Sequence, residues 1–430
     1  MRETNPFRTQ PCTAENPGDN PIRRWHKRPM TGEEEQTPPT RWAIVLGAVL
    51  AGVVMGFQVG KAPPLIDGIR AEIGFSLVGA GFYMSLIAAF TVVTGIVAGV
   101  LADNAGRRRI LILAALALIA GNLAGALAGS PAVMLLSRTL EAIAFVGIVV
   151  AAPGLIVEAT HPRDLNTALT VWSTYMPAGF ALMMGLTVWI ARPEDWRMIW
   201  WLNAAIAALY LILLLTVMRG VGAPPVQTRR LEGLGAVLRR PGPWLLGACF
   251  MVYTVMWFGV LNWMPTILRG AGVSIDGAGF GVALVVGVNA LGCMGAGPLL
   301  RAGAPRWLII AGAAATLGVV TQFIYDASLD PMTRLALAGV FSCIGGLIPG
   351  AALSGAVVHS PTPKQVGMTS GVIMQLTNTG TLIGPPLVAW AAATAGGDFT
   401  AARWITLAAS IGGVLAALTL RGVERRMGGA

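Results

Sequence analysis

The chain alternates long apolar segments with short polar ones between residues 42 and 420. A helix crosses the hydrocarbon core of a bilayer with about 20 apolar residues, because each residue adds about 1.5 Å. Twelve segments reach this length, and they are predicted to be helices because lipid does not tolerate an unpaired backbone. The predicted spans are 42–62, 77–101, 109–129, 132–157, 166–190, 197–218, 244–267, 277–300, 307–325, 333–357, 366–394 and 403–420.

The composition agrees with a protein whose main solvent is lipid. Hydrophobic residues make up 55% of the 430 residues and charged residues only 12%, whereas a soluble domain has about 25% charged residues. The net charge of +10 would suit a nucleic-acid partner, but the excess lies in short segments between the spans rather than in one basic patch. We therefore predict the lipid bilayer as a partner and no nucleic acid.

The distribution of Lys and Arg predicts the orientation of the chain. With residue 1 in the cytoplasm, 22 of the 30 Lys and Arg residues fall on the cytoplasmic side and 6 fall outside. By the positive-inside rule, both termini are predicted to be cytoplasmic. Residues 1–41 are polar and Pro-rich without an apolar signal-peptide core, so we expect a disordered tail in which Met30 is a second candidate start. The predicted location is a cell membrane, the bacterial inner membrane, crossed many times.

A basic, Pro-rich linker at 219–243 divides the spans into six and six. The predicted organisation is a six-helix bundle at 42–218, a second one at 244–421, and a short cytoplasmic tail at 422–430.

An internal repeat supports a duplicated origin of the two bundles. GFSLVGAGF at 74–82 matches GVSIDGAGF at 272–280 at six of nine positions, and both stretches follow the first span of their bundle. Pro64 likewise corresponds to Pro265. EATHPRD at 158–164 corresponds to HSPTPKQ at 359–365.

The segment between the second and third spans carries a specific motif. GVLADNAGRRR at 99–109 resembles the G-x-L-a-D-x-x-G-R-[RK]-[RK] signature of the major facilitator superfamily, which joins helices 2 and 3 on the cytoplasmic side. LLSRTLEA at 135–142 is similar to the helix-4 pattern of that superfamily, with Ala142 in place of Gly. GKAPPLIDGI at 60–69 is similar to its cyanate-permease-like branch. The motif residues are Gly99, Leu101, Asp103, Gly106, Arg107, Arg108 and Arg109.

The resemblance implies an all-α membrane protein with twelve transmembrane helices in two pseudo-symmetric six-helix bundles around a central cavity. It implies a secondary transporter that works by rocker-switch alternating access. It also implies a cytoplasmic gate in which Arg107 to Arg109 pair with Asp103 or with Glu158, near the end of helix 4. The alternative is that these arginines only anchor the topology. Since such helices bend, Pro177, Pro349, Pro385 and Pro386 are predicted to interrupt them.

Charged residues inside the spans mark a candidate functional site, since an unpaired charge is unfavourable there. Lys61 lies near the outer end of the first span, and Arg138 and Glu141 lie three residues apart on one face of the fourth. Helices 1 and 4 line the central path in the superfamily. We therefore hypothesise that Lys61 and Arg138 hold an anionic solute, with Glu141 as pair partner or proton carrier. The alternatives are that Lys61 snorkels to the outer interface and that Arg138 and Glu141 form a purely structural ion pair.

Neutral polar and aromatic side chains in the spans complete the candidate solute site, because such groups suit a small-molecule pocket. The alternative is that the aromatic residues anchor span ends at the interface and that the amides bond neighbouring helices. The candidates are Gln58, Trp172, Tyr175, Tyr253, Trp257, Asn262, Asn289, Gln375 and Asn378.

Other function classes have less support in the sequence. No H-E-x-x-H, G-x-S-x-G or P-loop motif occurs, so we predict no enzyme activity, no cofactor and no ATP coupling. The four cysteines form no C-x-x-C pair, and no metal site is predicted. We expect a monomer that moves a small organic solute, with proton coupling left open. Drug efflux by proton antiport is one alternative, although helix 5 lacks the usual antiporter pattern, and a non-transporting sensor is another.

Overall fold

The computed structural model describes residues 39–94, 106–218, 234–362 and 365–428, and every regular element within these ranges is a helix. In chain order the α-helices are α1 Trp42–Gly60, α2 Ile66–Ile73, α3 Leu77–Ser85, α4 Arg107–Ala126, α5 Pro131–Ala159, α6 Leu165–Ser173, α7 Tyr175–Ile190, α8 Arg197–Thr216, α9 Leu234–Leu238, α10 Pro241–Gly270, α11 Ile275–Arg301, α12 Arg306–Ile324, α13 Pro331–Gly345, α14 Leu347–His359, α15 Val366–Thr394 and α16 Ala402–Gly428. After a 3₁₀ turn at Leu86–Ala88, helical structure continues α3 through residues 89–94.

Ten helical stretches in the described ranges are long and apolar enough to cross a membrane, and eleven if α6 and α7, bent by 42°, count as one span. The remaining predicted span, 366–394, coincides with α15. That helix is 29 residues long, but its Thr, Asn, Gln and Pro residues lower its hydropathy. The structure therefore has helix at each of the twelve predicted spans.

The predicted helix interruptions at Pro177 and Pro349 are confirmed. Proline has no N–H, so the carbonyl four residues earlier receives no helical hydrogen bond. These carbonyls belong to Ser173 before Pro177 and to Gly345 before Pro349, and they are the last residues of α6 and α13. The prediction was wrong for Pro385 and Pro386, since α15 continues through both. Neighbouring helices that pack against a proline can preserve the helix around it.

The repeated outer segment has the same local structure twice. Gly74 and Gly272 both have positive φ, 81° and 88°, a conformation that residues with a Cβ rarely adopt. Two residues later, Ser76 accepts a hydrogen bond from the Gly79 amide, 3.0 Å long, and caps α3. Ser274 caps α11 in the same way. The sequence repeat is therefore a repeat of conformation.

Glycines set the closest helix crossings in the core. Gly52, Gly56 and Gly60, one turn apart on α1, face α7. A Cβ added at Gly56 would lie 2.8 Å from the Cα of Gly179, so the two backbones are nearly in contact. In α15, Gly384 lies against the backbone of α10, where an added Cβ would be 2.5 Å from the Val255 carbonyl oxygen. Small residues at four-residue spacing are what close packing of membrane helices requires.

We call residues 42–218 the first half and residues 241–428 the second half. The second half begins three residues earlier than predicted, since Pro241 starts α10, a position that suits proline. It also ends later, because α16 continues to Gly428 with Arg425 and Arg426 in its last turn, where cations favour a helix end. Residues 422–428 therefore continue α16 as helix. We call the side on which α4 and α12 begin the terminal face, and the other side the opposite face.

Candidate functional site

A buried carboxylate organises the candidate site in the first half. Glu141 of α5 accepts from the Lys61 ammonium through Oε1 at 2.5 Å and from the Arg138 guanidinium through Oε2 at 2.7 Å. All three side chains are 0% exposed. The structure thus brings together the three intramembrane charges that the sequence singles out. We call these residues and their hydrogen-bond partners the Glu141 cluster.

The two cations of the Glu141 cluster have their hydrogen-bonding capacity largely filled. An ammonium group has three protons, and Lys61 donates to Glu141, to Gln58 Oε1 at 2.8 Å and to Asn122 Oδ1 at 2.6 Å. Arg138 donates to the backbone oxygens of Gln58, Tyr83 and Met84, in addition to Glu141. Such satisfaction is what allows charges to stay buried.

Lys61 does not extend to the interface, so the snorkelling alternative is wrong for this residue. Its ammonium lies 4.6 Å from the ring centroid of Trp200, in cation–π contact. The partners of the Glu141 cluster come from α1, α3, α4, α5 and α8, all in the first half. With one carboxylate against two cations, the charged groups sum to +1 when Glu141 is ionised.

Several members of the Glu141 cluster were not among the sequence candidates. Asn122 of α4 binds Lys61, and Asn203 of α8 accepts a 3.0 Å hydrogen bond from Gln58. Tyr83 lies with its ring 5.0 Å from the Arg138 guanidinium. A signal was present, since an Asn inside an apolar span must find a partner. The sequence did not say which helix would supply it.

A second cluster forms in the second half from uncharged groups. The Asn289 side chain of α11 donates to the Tyr253 hydroxyl at 2.8 Å and to the Ser342 carbonyl oxygen at 2.7 Å. The Trp257 indole donates to the Ser342 hydroxyl at 3.1 Å. Tyr253, Asn289 and Trp257 are each at most 5% exposed. We call these four residues the aromatic cluster.

Two contacts of candidate site residues in the second half, Trp257 and Gln375, cross to the first half. The ring of Phe180 on α7 packs edge-on against Trp257, with centroids 5.7 Å apart. The Gln375 side chain of α15 donates to the Val92 carbonyl oxygen at 2.5 Å. The aromatic cluster therefore borders the first half. Gln375 contacts the first half directly through Val92.

The other candidates take separate positions. Asn262 is 1% exposed, and its Nδ2 has no hydrogen-bond partner among the described residues. A buried amide nitrogen without a partner is rare and is a candidate for binding a solute or water. Asn378 donates to Met374 of its own helix. Trp172 and Tyr175 stack at 4.4 Å beside α1.

The candidate gate on the terminal face is partly described. Arg107, the first residue of α4, forms an ion pair with Glu158 and donates to the Gly154 carbonyl oxygen at 3.3 Å. Both partners belong to α5, so this pair joins helices of one half. Gly106 has φ of 85°, as expected for a turn glycine before a helix. Gly99, Leu101 and Asp103 lie outside the described residues.

The remaining gate arginines differ from Arg107. Arg108 donates to the Leu214 carbonyl oxygen of α8 at 3.2 Å, and Arg109 is exposed.

Ion pairs on the opposite face join the two halves. Asp67 of α2 accepts from Arg269 of α10 at 3.2 Å. Arg192, just after α7, donates to Asp276 of α11 at 2.8 Å. The described residues thus hold the halves together on this face.

The fold and these sites define a helical multi-pass membrane protein with buried charges and two related halves. The sequence profile of the Major Facilitator Superfamily matches residues 48–354. Because this match covers more than half of the chain, the protein belongs to the Major Facilitator Superfamily.

Curated relatives share about a quarter of their residues with this chain. The 3-(3-hydroxy-phenyl)propionate transporter of Escherichia coli is 26% identical over 313 residues, 68% of this chain and 75% of that protein. The gallate transporter of Pseudomonas putida is 22% identical over 272 residues, 55% of this chain and 61% of that protein. An uncharacterized MFS-type transporter of Mycobacterium tuberculosis is 25% identical over 189 residues, 44% of this chain and 27% of that protein.

Solved structures share the fold. A bacterial homolog of the human lysosomal transporter Spinster, crystallised in an inward-facing and unoccupied conformation, matches with a TM-score of 0.73 and 17% identity. The match covers 90% of this chain and 98% of that one.

Proposed function

We propose that this protein is a secondary transporter that moves a small organic anion across the membrane by alternating access. The observation that carries the proposal is the Glu141 cluster. In this cluster two cations share one carboxylate, and none of the three side chains is exposed. A structural pair needs only one cation per carboxylate, whereas this cluster carries one cation more, and its positive charge favours the approach of an anion. A solute carboxylate is an anion of the right kind.

Glu141 is the candidate for coupling transport to protons. When it is ionised, it occupies both Lys61 and Arg138. Protonation of Glu141 would leave the charged groups at +2 with one fewer acceptor, so an anionic solute would be attracted when a proton is bound. This linkage favours proton and anion moving in the same direction.

The aromatic cluster supports an aromatic or similarly unsaturated acid as the solute. Trp257, Tyr253 and Phe180 offer ring faces and edges between the halves, which suits a planar ligand. Asn262 adds a buried amide donor without a partner. The named substrates of two relatives, 3-(3-hydroxyphenyl)propionate and gallate, are aromatic acids, and they make reasonable probes.

The rest of the functional picture is part of the same proposal. The terminal face is cytoplasmic, the membrane is the bacterial inner membrane, and the protein works as a monomer without a cofactor. Arg107 and Glu158 belong to a gate on the terminal face that reorganises as the halves rock. Topology can be checked by tags after Gly270 and inside 219–243, which should be reached from opposite sides of the membrane.

The test is counterflow in proteoliposomes loaded with unlabelled gallate or 3-(3-hydroxyphenyl)propionate. Wild-type protein should take up the labelled acid, and an imposed inward proton gradient should drive its accumulation. Glu141→Gln should keep exchange but lose proton-driven accumulation. Thr139→Val, which lies between Arg138 and Glu141 on the same helix and donates only to the Leu135 carbonyl oxygen, is the matched control and should behave like wild type.

Three results would contradict the proposal. Transport of a lipophilic cation in place of both acids would indicate drug efflux. Binding of an acid without any flux would indicate a sensor. Full proton-driven accumulation in Glu141→Gln would remove this residue from coupling.

A further inference from the structure

A cavity of about 440 Å³ opens at the terminal face of the second half. It is bounded by the ends of four helices, α11, α12, α14 and α16. Its polar wall consists of Arg306 and Glu424, which form a 2.8 Å ion pair. The cavity is distant in sequence from the Glu141 cluster and shares no residue with it or with the aromatic cluster. The lining residues are Leu300, Ala304, Arg306, Val358, Glu424 and Met427.

The Arg306–Glu424 pair is the second-half counterpart of the Arg107–Glu158 pair in the candidate gate. The alignment of 158–164 with 359–365 places His359 where the first half has Glu158, and Gly355 where it has Gly154. In both halves, the arginine at a helix start lies against the glycine: an added Cβ would be 2.3 Å from Arg107 Nε at Gly154 and 3.1 Å from Arg306 Nε at Gly355. The arrangement of arginine on glycine is therefore duplicated.

The two halves differ in the helix that supplies the carboxylate partner of the arginine. In the first half the carboxylate comes from the equivalent helix, as Glu158. In the second half that position is His359, which is 2% exposed, and the carboxylate comes from α16 as Glu424, 3.4 Å from His359 Nε2. The second site therefore has an extra basic group, and its single carboxylate is shared between two basic partners.

The surroundings of the cavity are strongly basic. The three segments that form it, 298–308, 354–362 and 420–428, contain five arginines and one histidine against one carboxylate, Glu424. Arg301 follows the lining residue Leu300 in sequence, and Arg425 and Arg426 lie between the lining residues Glu424 and Met427; all three are exposed. An anionic group entering the cavity would thus be attracted. Arg306 donates through Nε to the Ala351 carbonyl oxygen at 3.0 Å and through Nη1 to Glu424 at 2.8 Å, so its Nη2 group is the donor for the anion.

The other wall is apolar and open to the side. Val358 is 49% exposed and Met427 is 43% exposed, and beside them Val357 is 66% exposed and Leu299 is 41% exposed. These residues lie in the last turns of membrane-spanning helices, where lipid chains are the natural neighbours. A soluble anion would make no favourable contact with this apolar wall. An amphiphile would contact the polar wall with its charged group and the apolar wall with its hydrocarbon chains.

We propose that this cavity binds the headgroup of an anionic phospholipid. Its phosphate contacts Arg306, the nearby exposed arginines add to the attraction, and its acyl chains run along Val358 and Met427. The inference rests on the proposed topology only in placing the lipid in the cytoplasmic leaflet. Basic pockets between helix ends at a membrane surface commonly serve such a purpose.

The test is native mass spectrometry of the purified full-length protein titrated with phosphatidylglycerol and phosphatidylcholine of identical chains. Wild-type protein should bind phosphatidylglycerol about tenfold more tightly, since each basic side chain near an anionic lipid contributes a several-fold preference. Arg306→Gln should lose most of this preference, because Arg306 is the arginine that lines the cavity. Arg163→Gln removes one exposed arginine of the same face in the first half and should retain the preference.

A second variant guards against misfolding of Arg306→Gln, which leaves Glu424 with less pairing. Ala304→Trp fills the cavity from its edge and keeps the Arg306–Glu424 pair, so it should abolish the preference by excluding the headgroup while eluting as a folded protein in size exclusion. Equal binding of both lipids by wild type would overturn the proposal, as would a preference that survives in Ala304→Trp. Displacement of the lipid by millimolar glycerol phosphate would show instead a site for soluble anions. Since no flux is measured, failure here is independent of failure in the transport assay.

Discussion

At the scale of residues, the first half is built around one buried carboxylate. Removing one member of a buried, hydrogen-bonded group of charges leaves the other charges uncompensated. The resulting loss of folding free energy is larger than the net contribution of the ion pair. Arg138 is the most connected member, because its guanidinium donates to Glu141 and to three backbone oxygens from α1 and the α3 region. It thus joins three parts of the first half.

Replacing Arg138 with Gln should therefore destabilise the protein severely. We expect a loss of about 3 kcal/mol, the scale found for broken buried ion pairs, measured as a lower thermal denaturation midpoint in detergent. Arg109→Gln is the control, since Arg109 is an exposed arginine on α4 and its loss should have little effect. Equal midpoints for the two variants would show that the Glu141 cluster contributes little to stability.

At the scale of elements, glycine spacing decides which helices meet. Gly52, Gly56 and Gly60 form a stripe on α1, and the stripe lies against α7 near Gly179. Both surfaces are apolar, as is lipid, so the hydrophobic effect does not choose between them. The crossing is chosen instead by how closely the two backbones can approach.

Gly56→Ala should separate α1 from α7. The new methyl group would lie 2.8 Å from backbone atoms of Gly179, which cannot rotate away, so we expect a loss of about 1–3 kcal/mol from overpacking. Gly312→Ala is the matched control, because Gly312 is also helical and an added Cβ there meets nothing within 4 Å. Thermal denaturation of both variants checks this, and an unchanged Gly56→Ala midpoint would contradict the crossing.

At the scale of the whole molecule, the opposite face is held by contacts between the halves. Asp67–Arg269 and Arg192–Asp276 are both ion pairs across this interface, with side chains about one third to one half exposed. Exposed pairs contribute about 0.2–1 kcal/mol each. A single loss would therefore change the balance between conformations by at most about fivefold.

Removing both pairs should favour a state in which the opposite face opens. With spin labels at Glu194 in the first half and Ala271 in the second, the double variant Asp67→Asn, Arg192→Gln should show a larger population of long distances in pulsed EPR. The control is Arg197→Gln, which breaks the Arg197–Glu72 pair on the same face but within the first half. If the control widens the distances equally, the pairs across the halves do not hold this face.

Much of the fold was predictable from the sequence because its signals are local. A run of apolar residues requires a helix in lipid, whatever its neighbours are. The turns repeated at Gly74 and Gly272 and the breaks before Pro177 and Pro349 also depend only on a few adjacent residues. The failure at Pro385 and Pro386 has the opposite origin, because packing around α15 decides whether a helix survives its prolines.

The charges of the candidate site were determined by the sequence in part. The spacing of Arg138 and Glu141 on one helix sets their pairing, because residues three apart share a face. Lys61, Asn122 and Asn203 lie on three other helices. Since these helices are apolar on all sides, the sequence contains no amphipathic pattern that says which face turns inward.

What the sequence by itself determined is therefore the set of helices, their prediction as two related halves and the presence of buried charge. Only the tertiary structure decided which charges meet, that they are enclosed within the first half, and that the second Arg–Gly contact uses a carboxylate from α16. The physical reason is that insertion into lipid depends on the composition of each segment, whereas association between segments depends on shape and on the few polar groups that must find partners.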